Sequence, residues 1–253
     1  MAQYWFARVS LLKGCLAVAV ISLISGIIFH SHLVSKVWGQ EPYGMSAGII
    51  TTVAGGGVIP GSKMAVKPPA TPAEVLMELA GTVSETAAVK RLIDYKAKND
   101  AASRPRYYAV VDFDQPSTSK RFYVFDTVEH RVNSYLVSHG RGSEGANDDG
   151  IADVFSNQDG SNSSSLGIYR TLDEYNGKHG RSLRMEGLEV SNSNVLARGV
   201  VLHTADYVSD AFIRQTGRLG RSEGCFAVDK AVGNTLIDQL KGGVYIIATK
   251  RKQ

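Results

Sequence analysis

Gly220-Arg221-Ser222-Glu223-Gly224-Cys225-Phe226-Ala227-Val228 joins a thiol to a glycine-rich turn. A cysteine nucleophile needs a base, backbone donors for an oxyanion and access to its substrate. Gly224 removes a side chain beside the sulfur, so a carbonyl can approach the backbone, and the amides at or near Cys225 are the candidate donors. Gly217, Gly220 and Gly224 make the approach rich in turns. Upstream, Val200-Val201-Leu202 reads as a buried strand that runs into His203. A strand end is a rigid platform for a catalytic side chain, and a neutral imidazole can take a thiol proton to leave a stabilised ion pair. Spacing alone leaves two plainer readings open: a polar strand end for His203, and a small buried hydrophobe for Cys225.

The cysteine count sharpens the choice. Cys15 and Cys225 are the two cysteines in 253 residues. Arg8 and Lys13 precede an uncharged, mostly apolar stretch from Gly14 to Phe29. A basic region followed by an apolar run at the N-terminus is an export signal. A signal peptide cut near Val37-Trp38-Gly39 and an uncleaved inner-membrane anchor both fit, since the run is slightly short of the ~20 residues of a spanning helix. Either way the rest of the chain is expected outside the cytoplasm, in the periplasm or cell envelope. Cys15 lies within the export segment, which leaves Cys225 unpartnered in an oxidising compartment, as a reactive thiol would be.

Composition sets the frame. With 43% hydrophobic and 21% charged residues the chain has enough apolar material for a sizeable core. The net charge of +4, without a long Lys/Arg run, suits anionic surroundings and argues against a nucleic-acid partner. Residues 1–39 are read as signal peptide or anchor. Residues 40–72 are a linker that carries five of the seven prolines together with Gly55-Gly56-Gly57. Residues 73–104 are a helical lead-in, with Thr71 as N-cap, Pro72 as first helical residue and a second helix opened by Ser84-Glu85. Residues 105–253 are the catalytic domain.

Within that domain, 107–112, 121–126 and 132–138 read as an antiparallel meander rich in Val, Tyr and Phe. A long Gly/Ser/Asn/Asp loop at 140–165 has the length of a functional loop. Its Asn147-Asp148-Asp149-Gly150 lacks the later glutamate of a calcium loop. Further strands are expected at 166–170, 183–190, 200–202 and 244–249, and a helix at 231–240. The expected fold is mostly β (α+β), with a few flanking helices.

Several spaced motifs in order resemble the L,D-transpeptidases, the YkuD-like family. They are Gly220 to Cys225 with His203 upstream, Ser138-His139-Gly140-Arg141-Gly142-Ser143, Phe155-Ser156-Asn157, Ser164-Ser165-Leu166-Gly167-Ile168-Tyr169, Gly177-Lys178-His179-Gly180, Gly187-Leu188-Glu189 and Tyr207-Val208-Ser209. They are most similar to the subgroup described as murein L,D-transpeptidase catalytic domain proteins, and span roughly Tyr107 to Thr249. The resemblance implies a β-sandwich or barrel, with Cys225 as nucleophile and His203 as general base. It implies Gly224 and the Cys225 amide at the oxyanion hole, and Ser222 as a brace of the loop. His139 and Gly140 would form the pocket wall, and Arg221 and Arg218 would hold a substrate carboxylate. The implied partners are peptidoglycan stem peptides, with no metal and no cofactor. The implied activity is a cysteine acyltransferase, with an L,D-carboxypeptidase or a non-catalytic wall-binding protein as alternatives. A metal peptidase using His139, His203 and Cys225 would lack any short His/Glu metal motif. The chain departs from the family pattern at Glu223, Phe226, Ala227 and Thr204. Of these Glu223 matters most, because a carboxylate beside a thiol raises its pKa.

Overall fold

The computed structural model describes residues 70–251. The expected export segment, most of the linker and the last two residues lie outside them. Among the described residues no helix is long and apolar enough to cross a membrane.

Helix α1 (Pro72–Thr82) starts where the sequence places it. The Thr71 hydroxyl accepts the Glu74 amide at 3.2 Å, and the Glu74 carboxylate accepts the Thr71 amide at 2.7 Å. This reciprocal bonding closes a capping box with Pro72 in the first turn. Helix α2 (Thr86–Asn99) starts later than Ser84. Ser84 has φ +62° and sits in the tight connection between the helices, and Glu85 is the cap. The two helices turn Val75, Leu76, Leu79, Val89 and Leu92 onto one face of the sheet, against Tyr108, Val110, Phe125, Ile168, Tyr245 and Ile247. Each such fully buried side chain contributes roughly 1.5–3 kcal/mol of burial free energy.

The sheet has eight strands in the order β3-β2-β1-β8-β4-β5-β6-β7. They are β1 (Tyr107–Asp112), β2 (Phe122–Asp126), β3 (Arg131–Tyr135), β4 (Gly167–Gly177), β5 (Gly180–Gly187), β6 (Val201–Thr204), β7 (Phe226–Val228) and β8 (Tyr245–Thr249). Strands β1, β2 and β3 form the antiparallel meander. Both faces of β1 are covered, so it reads as an unbroken apolar run: Tyr108 and Val110 face the helices while Ala109 and Val111 face the interior. Past β3, Val137 bridges Val228 of β7, and the Ser138 amide donates to the Ala227 carbonyl at 2.9 Å. The first edge of the sheet thus meets the last, and the sheet curls into a nearly closed barrel. Phe122, Val124, Tyr169, Leu183, Met185, Leu202, Phe226 and Val228 fill its interior. Helix α4 (Lys230–Leu240) adds Leu236, Ile237 and Leu240. The fold is therefore the mostly-β, barrel-like arrangement expected.

Several elements differ from the sequence expectation, among them β5, which spans Gly180–Gly187 where 183–190 is expected, and β3, which ends at Tyr135. Strand β4 runs to Gly177, past a register irregularity between Thr171 and Glu174, and makes a hairpin with β5 through the two-residue turn Lys178-His179. Helix α3 (Asp210–Thr216) buries no residue, so it carries no apolar stripe to read. Strand β7 is three residues long, too short to show a period.

Candidate active site

Strands β6 and β7 run parallel, with Leu202 beside Phe226, His203 beside Ala227 and Thr204 beside Val228. Leu202, Phe226 and Val228 point into the barrel. Side chains alternate along a strand, so His203 and Ala227 point to its outer face. Cys225, two residues before Ala227, shares that face. The sheet thereby brings His203 and Cys225 to one wall of a cavity of about 590 Å³, which Tyr175, Lys178, His179, Arg198 and Tyr207 also line.

His203 is buried at 2% exposure. Its Nδ1 lies 2.9 Å from the Thr204 carbonyl. A carbonyl only accepts, so Nδ1 carries the hydrogen and Nε2 is the lone-pair nitrogen. Among the described residues no hydrogen bond occupies Nε2. Burial lowers the His203 pKa, with His179 and Lys178 adding to that push against the Thr204 carbonyl. The Cys225 thiol is pushed up, first by burial and further by Glu223, against the Val201 amide and the Lys178 and Arg198 charges. Its hydrogen reaches toward the Gly199 carbonyl at 3.8 Å. Burial therefore favours the neutral form of both the thiol and the imidazole. Proton transfer must accompany attack.

The nucleophile loop is braced on its other side. Gly140 pairs with Ser222, the Ser222 amide donates to the His139 carbonyl at 2.9 Å, and the Arg141 amide returns to the Ser222 carbonyl at 2.8 Å. The Ser222 hydroxyl donates to the Cys225 carbonyl at 2.7 Å and accepts the Gly224 amide at 3.2 Å. Gly224 itself has φ +111°, and a Cβ there would stand 2.8 Å from the Ser163 carbonyl oxygen. At Gly140 a Cβ would stand 2.2 Å from the Asn162 carbonyl oxygen and 2.8 Å from the Gly224 nitrogen, so two stretches of backbone approach each other through these glycines.

His139 does not line the cavity. It is buried at 1% exposure beneath the loop. Arg121, wholly buried, donates to its Nδ1 at 2.8 Å, so Nε2 carries the hydrogen and donates to Glu144 at 2.7 Å. Both ring nitrogens are spent, and burial together with the Arg121 charge pushes the pKa down to about 4. Metal ligation by His139 is closed for the same reason. Glu144 continues the chain to Arg221 at 3.3 Å. Arg221 reaches the cavity wall, yet its guanidinium also pairs with Asp148. Arg218 is absent from that wall and pairs with Asp148 at 2.7 Å. The two arginines, Arg218 first, hold the Asp148 carboxyl down to about 2 and tie the long loop to the nucleophile loop. Glu223 is exposed, 3.4 Å from Arg141.

Sequence reasoning gave no role to Arg121, Glu144 or Arg198. Arg198 donates to the Ser156 and Ser163 carbonyls at 2.9 and 2.7 Å and to the Ser165 hydroxyl at 2.9 Å. These acceptors hold its charge near the sulfur. The serines of 156–165 were the available signal, as a cluster of acceptors waiting for a cation.

A thiol and an imidazole thus line one cavity, together with Lys178, Arg198 and Arg221. The chain belongs to the L,D-transpeptidase catalytic domain family, whose model matches residues 80–248. No curated protein matches the chain in sequence. Among solved structures it is similar to the L,D-transpeptidase from Mycobacterium smegmatis, at 15% identity and TM-score 0.35, with 57% of this chain and 58% of that one covered. The L,D-transpeptidase from Mycobacterium tuberculosis H37Rv gives the same four figures. That from Xylanimonas cellulosilytica has 16% identity and TM-score 0.33, with 69% of this chain and 77% of that one covered. The chain thus spans less than two thirds of the length of the two mycobacterial structures.

Proposed function

We propose that this protein is a peptidoglycan L,D-transpeptidase that carries the acyl group on Cys225. The carrying observation is that His203 and Cys225 line one cavity, with His203 Nε2 free to take a proton. The Cys225 sulfur attacks the carbonyl between the L-centre of a stem-peptide diamino acid and its terminal D-alanine, and the thiol proton passes to His203 Nε2. The Gly224 amide is already bonded to Ser222, so the developing oxyanion falls to the Cys225 amide. The tetrahedral intermediate breaks its C–N bond. D-alanine leaves with the proton from His203, and a thioester remains. The side-chain amine of a second stem then attacks the thioester, gives its proton to His203, and the thiol is restored with a crosslink formed. Water in place of that amine makes the same site an L,D-carboxypeptidase. Lys178, Arg198 and Arg221 give the cavity the charge that a carboxylate-bearing stem requires. Residues 1–39 place the enzyme in the periplasm or cell envelope, through a cleaved signal or an inner-membrane anchor.

Incubation with tetrapeptide muropeptides and mass analysis of the products tests this reading. Crosslinked dimers and free D-alanine are expected from the protein and not from Cys225→Ala. Equal product from Cys225→Ala overturns it. The raised thiol pKa is the observation that favours a wall-binding protein of the same fold without turnover. A Cys225 inert to thiol reagents at neutral pH, with wall binding retained, selects that second reading.

A further inference from the structure

The β4–β5 hairpin ends directly over the proposed base. Gly177 pairs with Gly180, so Lys178 and His179 make up the whole turn. Strand β5 pairs with β6, Ser182 standing beside His203. The sheet itself therefore hangs the turn above the His203 ring. The His179 and His203 rings stack with centroids 4.2 Å apart and planes 22° apart. His203 is held at its edge by the Thr204 carbonyl and on its face by His179. Both rings line two lobes of one cleft: the lobe of about 590 Å³ that holds Cys225, and a second of about 300 Å³ toward Asp206 and Lys230.

We propose that His179 is a positioning residue for His203: it fixes the plane of the base and opposes a second proton on the stacked pair. The proposal rests on the reading of His203 as general base. Two imidazoles in face contact can share one positive charge comfortably, because a neutral ring offers its π face to an imidazolium. They cannot both be charged at that separation without strong repulsion. When His203 takes the thiol proton, a neutral His179 therefore supports the imidazolium. At acidic pH a protonated His179 opposes it.

The surroundings do not cancel this coupling. Lys178 shares the turn, Tyr175 lies on β4, and Arg198 precedes β6. Asp206 and Tyr207 follow β6, and Lys230 opens α4. Arg221, Glu223 and Cys225 face the ring from the nucleophile loop. Asp206 pairs with Lys230 at 2.5 Å, and Glu223 with Arg141 at 3.4 Å. The two acids that line the lobes thus each pair with a cation, and Glu223 still favours a charged His179, against burial and Lys178. His179 and Lys178 both push the His203 pKa down, in the same direction as burial.

The test is a pH titration of the histidine ring resonances in the full chain, in wild type, His179→Phe and His179→Ala. No substrate is needed, so the coupling is tested separately from the activity. His179→Ala removes the cover and the charge together, and the His203 midpoint is expected to move upward by roughly half a pH unit or more. His179→Phe keeps a ring on the face and removes only the charge, so a smaller upward shift is expected. In an acylation assay of Cys225, the acid limb should move to higher pH in the same order, and His179→Phe should keep the wild-type plateau that His179→Ala loses. An unchanged His203 midpoint in both variants overturns the proposal. A shifted midpoint with an acid limb that ignores it retains the coupling and refutes His203 as the base.

Discussion

The two histidines beside the nucleophile loop are both buried, and burial lowers the pKa of both, yet they sit in opposite kinds of surroundings. On one side His139 spends its two nitrogens on Arg121 and Glu144. On the other, His203 spends one on a carbonyl and keeps Nε2 for the cavity. Burial alone therefore does not distinguish a structural imidazole from a chemical one. The second nitrogen does. Damage on the His139 side should appear as lost stability, and damage on the His203 side as lost rate with the fold intact.

The largest effect expected is on the sulfur. Cys225→Ala should abolish covalent adducts and product, with far-UV circular dichroism unchanged. Next comes His203→Gln, which should slow acylation by about 10²–10⁴-fold, the usual contribution of a general base. Its melting temperature should stay near that of the wild type. If His203→Gln unfolds the domain and His139→Gln abolishes acylation in a stable one, the contrast is inverted.

His139→Ala should do the reverse. It takes one hydrogen bond from the buried Arg121 guanidinium and one from the Glu144 carboxylate, which keep their bonds to the Gln115 and Val137 carbonyls and to Gly150 and Arg221, at a cost of about 1–3 kcal/mol. Urea denaturation measures this, and Cys225 should still label well below the melting temperature. Acid should find the same weak point. The His139 pKa is about 4 in the fold against 6.5 for the free side chain, so between those values the unfolded chain binds a proton that the native chain does not. Stability is therefore full above about pH 6.5 and falls as the pH drops toward 4, and His139→Gln should flatten that slope. The smallest effect belongs to Arg218→Ala. Its partner Asp148 is 57% exposed, so solvent screens the pair and the melting temperature should barely move.

How much of this could be read from the chain follows the range of each interaction. The Val/Tyr/Phe runs at 107–112 and 122–126 reveal their strands because β-branched and aromatic enrichment between turn residues is a local signal, and the Thr71-Pro72 start of α1 is legible for the same reason. Cys225 and His203 are legible as candidates because each carries a local signature, a Gly-Cys turn and a strand end. Their adjacency depends on β7, whose three residues show no period. The placing of His139 on the pocket wall fails for a related reason. Ser138 joins the barrel closure through Ala227, which carries the next residue beneath the loop. Arg121 reaches Val137 across 16 residues of sequence and Arg198 reaches Ser156 across 42, and only the serine cluster that Arg198 meets leaves a trace. In the same way, Gly177 to Gly180 announces a turn without naming the ring on which it lies.

Intact-protein mass spectrometry after a timed, acid-quenched exposure to a carbapenem acylator tests the central claim most directly, with peptide mapping to find the modified residue. Wild type should gain one adduct, on Cys225. His203→Gln should gain the same adduct about 10²-fold or more slowly, and His139→Gln at close to the wild-type rate. A wild-type protein that stays unmodified, or one that acylates as fast without His203 as with it, contradicts the account.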